Sequence, residues 1–300
     1  MIKRLNWLPC IGYALLPLLV LLIAATFACI VSFALIQFWP TLSLRTLVSK
    51  ITLVLLILSI FPGMALAKLN RQQLGFAERR QFLRQLLRGF ALGLLSLLPV
   101  VFLLYQLDVS IIDVGQHWTP LKLAEKMLLP LLLAVLIAWL EEPLFRGLLL
   151  TSLNRVMPNN AAIIISAGYY ATLHFLTTKT NIPADAITFF SGFQLLGEAF
   201  ANVFNPQTWS ALLALWVVGV FLGLLKTQIP NSLGLCIGCH AAWVWLIKTN
   251  KTLFNTDFNA EYAYLVSHYD GIVGPLVTVW LALAMLGYLG YKRWPHLPVR

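Results

Sequence analysis

The chain reads as an all-α polytopic membrane protein of about eight transmembrane helices, with both termini cytoplasmic. Three observations predict this class. Of its 300 residues, 60% are hydrophobic and 11% charged, where a soluble domain carries about 25% charge. Apolar runs of about 20 residues, the length that crosses a hydrocarbon core, recur from end to end. Between two of them, Lys68, Arg71, Arg79, Arg80, Arg84 and Arg88 face one acid, Glu78, and a short basic loop of this kind stays in the cytoplasm. One membrane domain, residues 1–300, is expected, with no soluble domain and no internal repeat.

The first run, 11–39, is too long for the apolar core of a cleaved signal. Phe27 and Ala28 before Cys29 make a poor lipoprotein cleavage site, so this run is an uncleaved first span. Further spans are expected at 51–67, 89–107, 127–152, 161–178, 209–225, 232–248 and 272–291. Alternation from the basic loop then puts Lys3, Arg4, Lys292, Arg293 and Arg300 on the inner side. The stretch 186–204 is apolar but interrupted by Gln194 and Glu198 and weakened by Gly192 and Gly197. A ninth span there would put the later loops on the wrong sides, so it reads as interfacial or re-entrant, with Glu198 a solvated outer-face residue. The net charge of +10 fits cytoplasmic loops on anionic lipid. No soluble basic domain exists to bind nucleic acid. The expected partners are the bilayer and a membrane-associated protein or peptide.

Against this background Glu141 and Glu142 stand out. They interrupt the fourth run, which carries no other ionisable group from Met127 until Arg146. A charge at the bilayer centre costs about 2.5–3.5 kcal/mol on insertion scales, so the pair marks a site. Glu142 and Arg146, four apart, share a helix face and pair, a structural role. Glu141 points about 100° away and is free to act. Pro143 removes a backbone donor and crowds the Trp139 carbonyl, which favours a kink or water entry beside the carboxylates.

Two further spans carry histidines. His174 follows Tyr170 by four residues in the fifth, and His240 lies in the seventh beside Gly238, Ala241 and Ala242, small enough for close helix approach. Counted from the inner ends, Glu141, His174 and His240 lie about 16, about 20 and about 12 Å deep, one polar level within the boundary error. A carboxylate beside an imidazole can deprotonate water, and a second imidazole can donate to an oxyanion; together they suit peptide hydrolysis. The same trio, Glu141, His174 and His240, is also a donor set for zinc, although it comes from three helices and lacks a paired-histidine motif. A competing pattern, Cys236-Ile237-Gly238-Cys239-His240, matches c-type haem attachment. It sits inside an apolar helix, where small buried cysteines serve packing, and Cys10 and Cys29 read the same way.

These residues resemble the CPBP family of intramembrane proteases, which includes type II CAAX prenyl endopeptidases and bacteriocin-processing or self-immunity proteins. The family's EExxxR motif is complete at Glu141-Glu142-Pro143-Leu144-Phe145-Arg146. Its FxxxH motif reads Tyr170-Ala171-Thr172-Leu173-His174, with Tyr in place of Phe. Its HxxxN motif reads His240-Ala241-Ala242-Trp243-Val244, without the final Asn. The likeness covers residues 127–248. It implies a catalytic Glu141 that activates water with His174, and a His240 that stabilises the oxyanion, with Glu142, Arg146 and Tyr170 in supporting places and no cofactor required. It also implies a bacterial cytoplasmic membrane location. Val244 cannot donate, and losing one oxyanion donor costs about 10²–10³ in rate. Two alternatives remain: an inactive binding or self-immunity protein on the same scaffold, and a carrier that uses the buried Glu/His pair, though the inverted repeat such carriers show is not visible.

Overall fold

The computed structural model describes residues 7–116 and 118–293; Lys3, Arg4 and Arg300, assigned above to the inner side, lie outside them. The chain is helical nearly throughout. Helix α1 (Trp7–Phe38) is followed by α2 (Leu44–Leu58) and α3 (Ile60–Leu66), which are separated at Ser59. There the Ser59 hydroxyl bonds back to the Leu56 carbonyl at 2.6 Å. The short α4 (Arg71–Leu74) is closed by a reciprocal cap between Asn70 and Gln73 and ends on Gly75 at φ +102°, a conformation glycine adopts without steric cost. Helix α5 (Arg79–Gln106) leads to β1 (Ser110–Ile112). Helix α6 (Pro120–Glu142) starts on Pro120 with the Thr119 hydroxyl capping Lys122 N–H at 3.2 Å. It runs into a π-helix (Pro143–Leu149) and then α7 (Leu150–Leu153). The rest is α8 (Asn159–Phe175), α9 (Ser191–Val203), α10 (Trp209–Gln228), α11 (Leu233–Leu253), β2 (Phe254–Thr256) and α12 (Pro275–Arg293).

Among the described residues, six helical stretches are long and apolar enough to cross a membrane: Leu8–Phe38, Leu44–Leu66, Arg71–Gln106, Pro120–Leu153, Pro206–Gln228 and Pro275–Lys292. This is an all-α polytopic membrane protein. The two histidine helices are outside that set. Helix α8 has 17 residues, and α11 closes on Lys248-Thr249-Asn250-Lys251, so length and apolarity alone account for six of the eight expected spans. Helix α8 buries one face, with Ala162, Ile163, Ala167, Tyr170 and Ala171 enclosed and Ile164 exposed, and α11 occupies the protein interior. Cys236, Ile237, Cys239, Ala241 and Ala242 of α11 have no exposed surface, so α11 meets other helices rather than lipid. The stretch 186–204 forms only the 13-residue α9, packed on α1 and α2.

Glycine sets how closely the central helices approach. A Cβ on Gly238 would stand 2.0 Å from the Leu86 carbonyl oxygen, and one on Gly89 would stand 2.1 Å from that of Leu235. Helices α5 and α11 therefore touch backbone to backbone. The loops sort to two ends. At one, the Cys10 thiol donates to the Val156 carbonyl at 3.1 Å, Leu233 N–H to the Gly75 carbonyl at 3.0 Å, the Arg155 side chain to the Ala67 carbonyl and Lys292 to Gln228. At the other, β1 pairs antiparallel with β2, Ser110 opposite Thr256, and Asn202 donates to the Phe175 carbonyl at 3.1 Å.

Candidate active site

The site is built where α6 becomes a π-helix. Pro143 has no N–H to give the preceding turn, and the chain widens there instead of breaking. The Ser166 hydroxyl of α8 donates to the Phe145 carbonyl at 3.1 Å and ties the π segment to a neighbour. Glu142 and Arg146 are fully buried, and Arg146 Nη1 donates to Glu142 Oε1 at 3.1 Å. Its Nη2 donates to the Gly219 carbonyl at 3.4 Å, and the guanidinium carbon sits 4.4 Å from the Tyr170 ring centroid. Arg146 is thus held by a carboxylate, a carbonyl and an aromatic face, three contacts that compensate a buried cation. Glu141, by contrast, keeps 25% of its side chain exposed.

His240 reaches this pair from α11. Its Nδ1 lies 2.8 Å from Glu142 Oε1. A carboxylate only accepts, so Nδ1 carries the proton and Nε2 is the variable nitrogen. That Nε2 lies 3.9 Å from Glu141 Oε2. Direct hydrogen bonding stops short of this distance, yet a water oxygen can reach both atoms at ordinary length. Both Glu141 Oε2 and Glu142 Oε2 are buried without a hydrogen-bond partner in the protein. His174, one residue from the end of α8, donates Nδ1–H to the Tyr170 carbonyl at 2.7 Å, so its neutral ring presents Nε2 as a lone pair. Tyr170 stands between the imidazoles, its ring centroid 4.6 Å from His174 and 5.9 Å from His240.

Two cavities meet at His174. One, of about 380 Å³, is bordered by His174, His240, Tyr170 and Val244 together with Lys248, Lys251, Tyr269 and Asp270. The other, of about 480 Å³, is bordered by Glu141 and His174 and by residues of α1, α2 and α9, among them Arg45 and Leu195. The turn holding Tyr269 and Asp270 is pinned, since Asp270 Oδ1 accepts Ile272 N–H at 3.0 Å and Val273 N–H at 2.7 Å. Burial pushes the Asp270 carboxyl up; those two amides, Lys251 and His174 pull it back. Burial, then the charges of Asp270 and Glu141, push the Tyr269 phenol up to about 12.

The structure brings Glu141, Glu142, Arg146, Tyr170, His174 and His240 around one point, with Val244 on the same cavity wall. Sequence reasoning missed Lys248, Lys251, Tyr269 and Asp270. The lysines had a readable signal, eight and eleven residues after His240 on one helix face. Tyr269 and Asp270 had none beyond a turn-forming Asp-Gly, because only tertiary folding returns that loop to the site. Among the described residues no three His, Cys, Asp or Glu side chains group so as to hold a metal ion. Cys236 and Cys239 are buried free thiols, and Cys236 Sγ turns to the Leu222 carbonyl at 3.5 Å. Glu198, on α9, accepts from Thr178 at 2.7 Å and Gln194 at 3.2 Å, and hydrogen bonds from Thr180, Thr178 and Gln194 hold its carboxyl below the usual range.

No curated protein and no solved structure matches the chain. A family model does match, that of type II CAAX prenyl endopeptidase Rce1-like proteins, over residues 123–246. That stretch begins in the first turn of α6, ends in α11 and contains both glutamates and both histidines, so the Glu/His part of the site lies within the segment that is similar to this family, and Lys248, Lys251, Tyr269 and Asp270 lie beyond it.

Proposed function

We propose that this protein is an intramembrane endopeptidase that hydrolyses a peptide bond of a membrane-associated protein or peptide with a water activated by Glu141 and His174. The observation that carries the reading is the 3.9 Å gap between Glu141 Oε2 and His240 Nε2, with Nδ1 of both histidines already committed elsewhere. In the proposed step Glu141 takes a proton from water, with His174 Nε2 accepting a hydrogen bond from it. The hydroxide adds to the scissile carbonyl, and the oxyanion accepts a hydrogen bond from the His240 ring. Collapse breaks the C–N bond, and the proton held by Glu141 goes to the leaving amine. Arg146 stays paired with Glu142 throughout. The step needs no metal. The basic loop at 68–88 supports termini on the cytoplasmic side, and in a bacterial cell the membrane would be the cytoplasmic one.

Wild type, Glu141→Ala and His174→Ala at matched membrane levels, compared by peptide mass spectrometry, test this directly. Specific products are expected to disappear in both variants while the proteins stay folded. Identical products in all three would favour a binding or self-immunity role on the same scaffold, the reading that Val244 supports. Addition of 1,10-phenanthroline is expected to leave the rate unchanged; a loss that zinc restores would return the trio to metal chemistry.

A further inference from the structure

The proposed reaction leaves one gap in the site. The family motif ends in an oxyanion donor, and this chain has Val244 there, on the cavity wall beside His240. A missing donor costs about 10²–10³ in rate, so an active member needs another. The candidates bordering the same cavity are few. The Trp243 indole N–H is spent on the Ser96 hydroxyl at 2.8 Å, and the Trp280 indole N–H on the Ser96 carbonyl at 2.7 Å. Two phenols border the cavity, Tyr170 and Tyr269, and Tyr170 is the enclosed one, 2% exposed with its ring against Arg146. Lys248 and Lys251 lie eight and eleven residues beyond His240, which on a helix is about 12 and about 16 Å along the axis.

Tyr269 remains. Its ring packs on Phe175 with centroids 5.0 Å apart, next to His174 in sequence. Its backbone N–H bonds to the Ser267 hydroxyl at 3.3 Å, and Ser267 in turn bonds to the Val273 carbonyl. The turn continues through Gly271 at φ +78°, where a Cβ would stand 2.1 Å from the Thr256 hydroxyl. The loop is therefore seated by contacts that have nothing to do with the phenol. With the phenol pushed up to about 12, partly by Glu141 itself, the hydroxyl keeps its proton at any working pH and lies within the field of the proposed base.

We infer that the Tyr269 hydroxyl supplies the oxyanion hydrogen bond that Val244 cannot, so that a loop residue has taken over a helix residue's work. The inference rests on the endopeptidase reading. In the addition step the phenol O–H donates to the carbonyl oxygen as it gains charge, opposite the His240 donor, and keeps its proton when the oxyanion collapses.

The test uses full-length protein in membranes, with the peptides whose release depends on Glu141 as the probe and initial rates as the readout. Tyr269→Phe keeps the ring on Phe175 and is expected to lower kcat by about 10²-fold with KM little changed. Tyr269→Phe with Val244→Asn is expected to recover most of that loss, which a merely structural tyrosine would not permit. A wild-type rate in Tyr269→Phe, or a slow one that Val244→Asn leaves slow, overturns the assignment while the Glu141 result stands. If Glu141→Ala releases the same peptides as wild type, the endopeptidase reading fails and the tyrosine assignment falls with it.

Discussion

Glu141 and Glu142 are neighbours in sequence and opposites in circumstance. Glu142 is enclosed, and one of its oxygens accepts from both Arg146 and His240. Removing it leaves a buried cation without its carboxylate, which costs about 3–5 kcal/mol. Glu142→Ala is therefore expected to lower the melting temperature of the detergent-solubilised protein strongly. Glu141→Ala, at a partly exposed position whose Oε2 has no hydrogen-bond partner in the protein, is expected to leave it nearly unchanged while abolishing cleavage. A thermal-shift comparison of the two separates structure from chemistry at adjacent residues. The Glu142–Arg146 pair was legible because four residues on a helix place two side chains together whatever the fold. The His240–Glu142 bond joins residues 98 apart. Sequence placed the two at comparable depth and no closer, since depth along a helix axis says nothing about which faces meet.

Among the elements, the elongated apolar runs were legible and their ends were not. Helix α5 begins at Arg79, ten residues before the apolar run that predicts it. Arginine and glutamine are good helix formers, and the helix extends beyond the part that hydropathy marks. Helix α8 is expected over 161–178 and spans Asn159–Phe175, which puts His174 in its last turn, within reach of the loop that carries Tyr269. The small residues beside His240 announced a close approach, and the structure names α5 as the partner. Gly238→Ala is expected to destabilise by about 1–3 kcal/mol, because its Cβ would meet the Leu86 backbone rather than a movable side chain. Gly168→Ala on α8, where nothing lies within 4 Å, is expected to be neutral or stabilising by up to about 1 kcal/mol. Thermal unfolding of both in detergent checks the contrast.

At the scale of the whole molecule, the sorted ends make topology measurable. The four natural cysteines are buried, so introduced ones report alone. Gln72→Cys is expected to react with an impermeant maleimide only from the cytoplasmic side, and Glu261→Cys only from the other; the reverse pattern would invert the proposed orientation. Among the described residues six stretches suit a bilayer by length and composition, and the two helices that carry histidine fall outside that set. This has a consequence for biogenesis. A helix too short or too polar to partition by itself enters a bilayer only against helices that cover it. When α8 leaves the ribosome, α10, whose Gly219 packs so closely that an added Cβ would stand 2.8 Å from the Ala167 Cβ, has not yet been made. Helix α11 comes later still and settles on α5 and α6, already in place. His240 therefore reaches the glutamates only in the closing stage of synthesis, and a chain cut short before α11 lacks the imidazole that bonds Glu142. On the endopeptidase reading, a half-made chain therefore cannot cleave its host's membrane proteins.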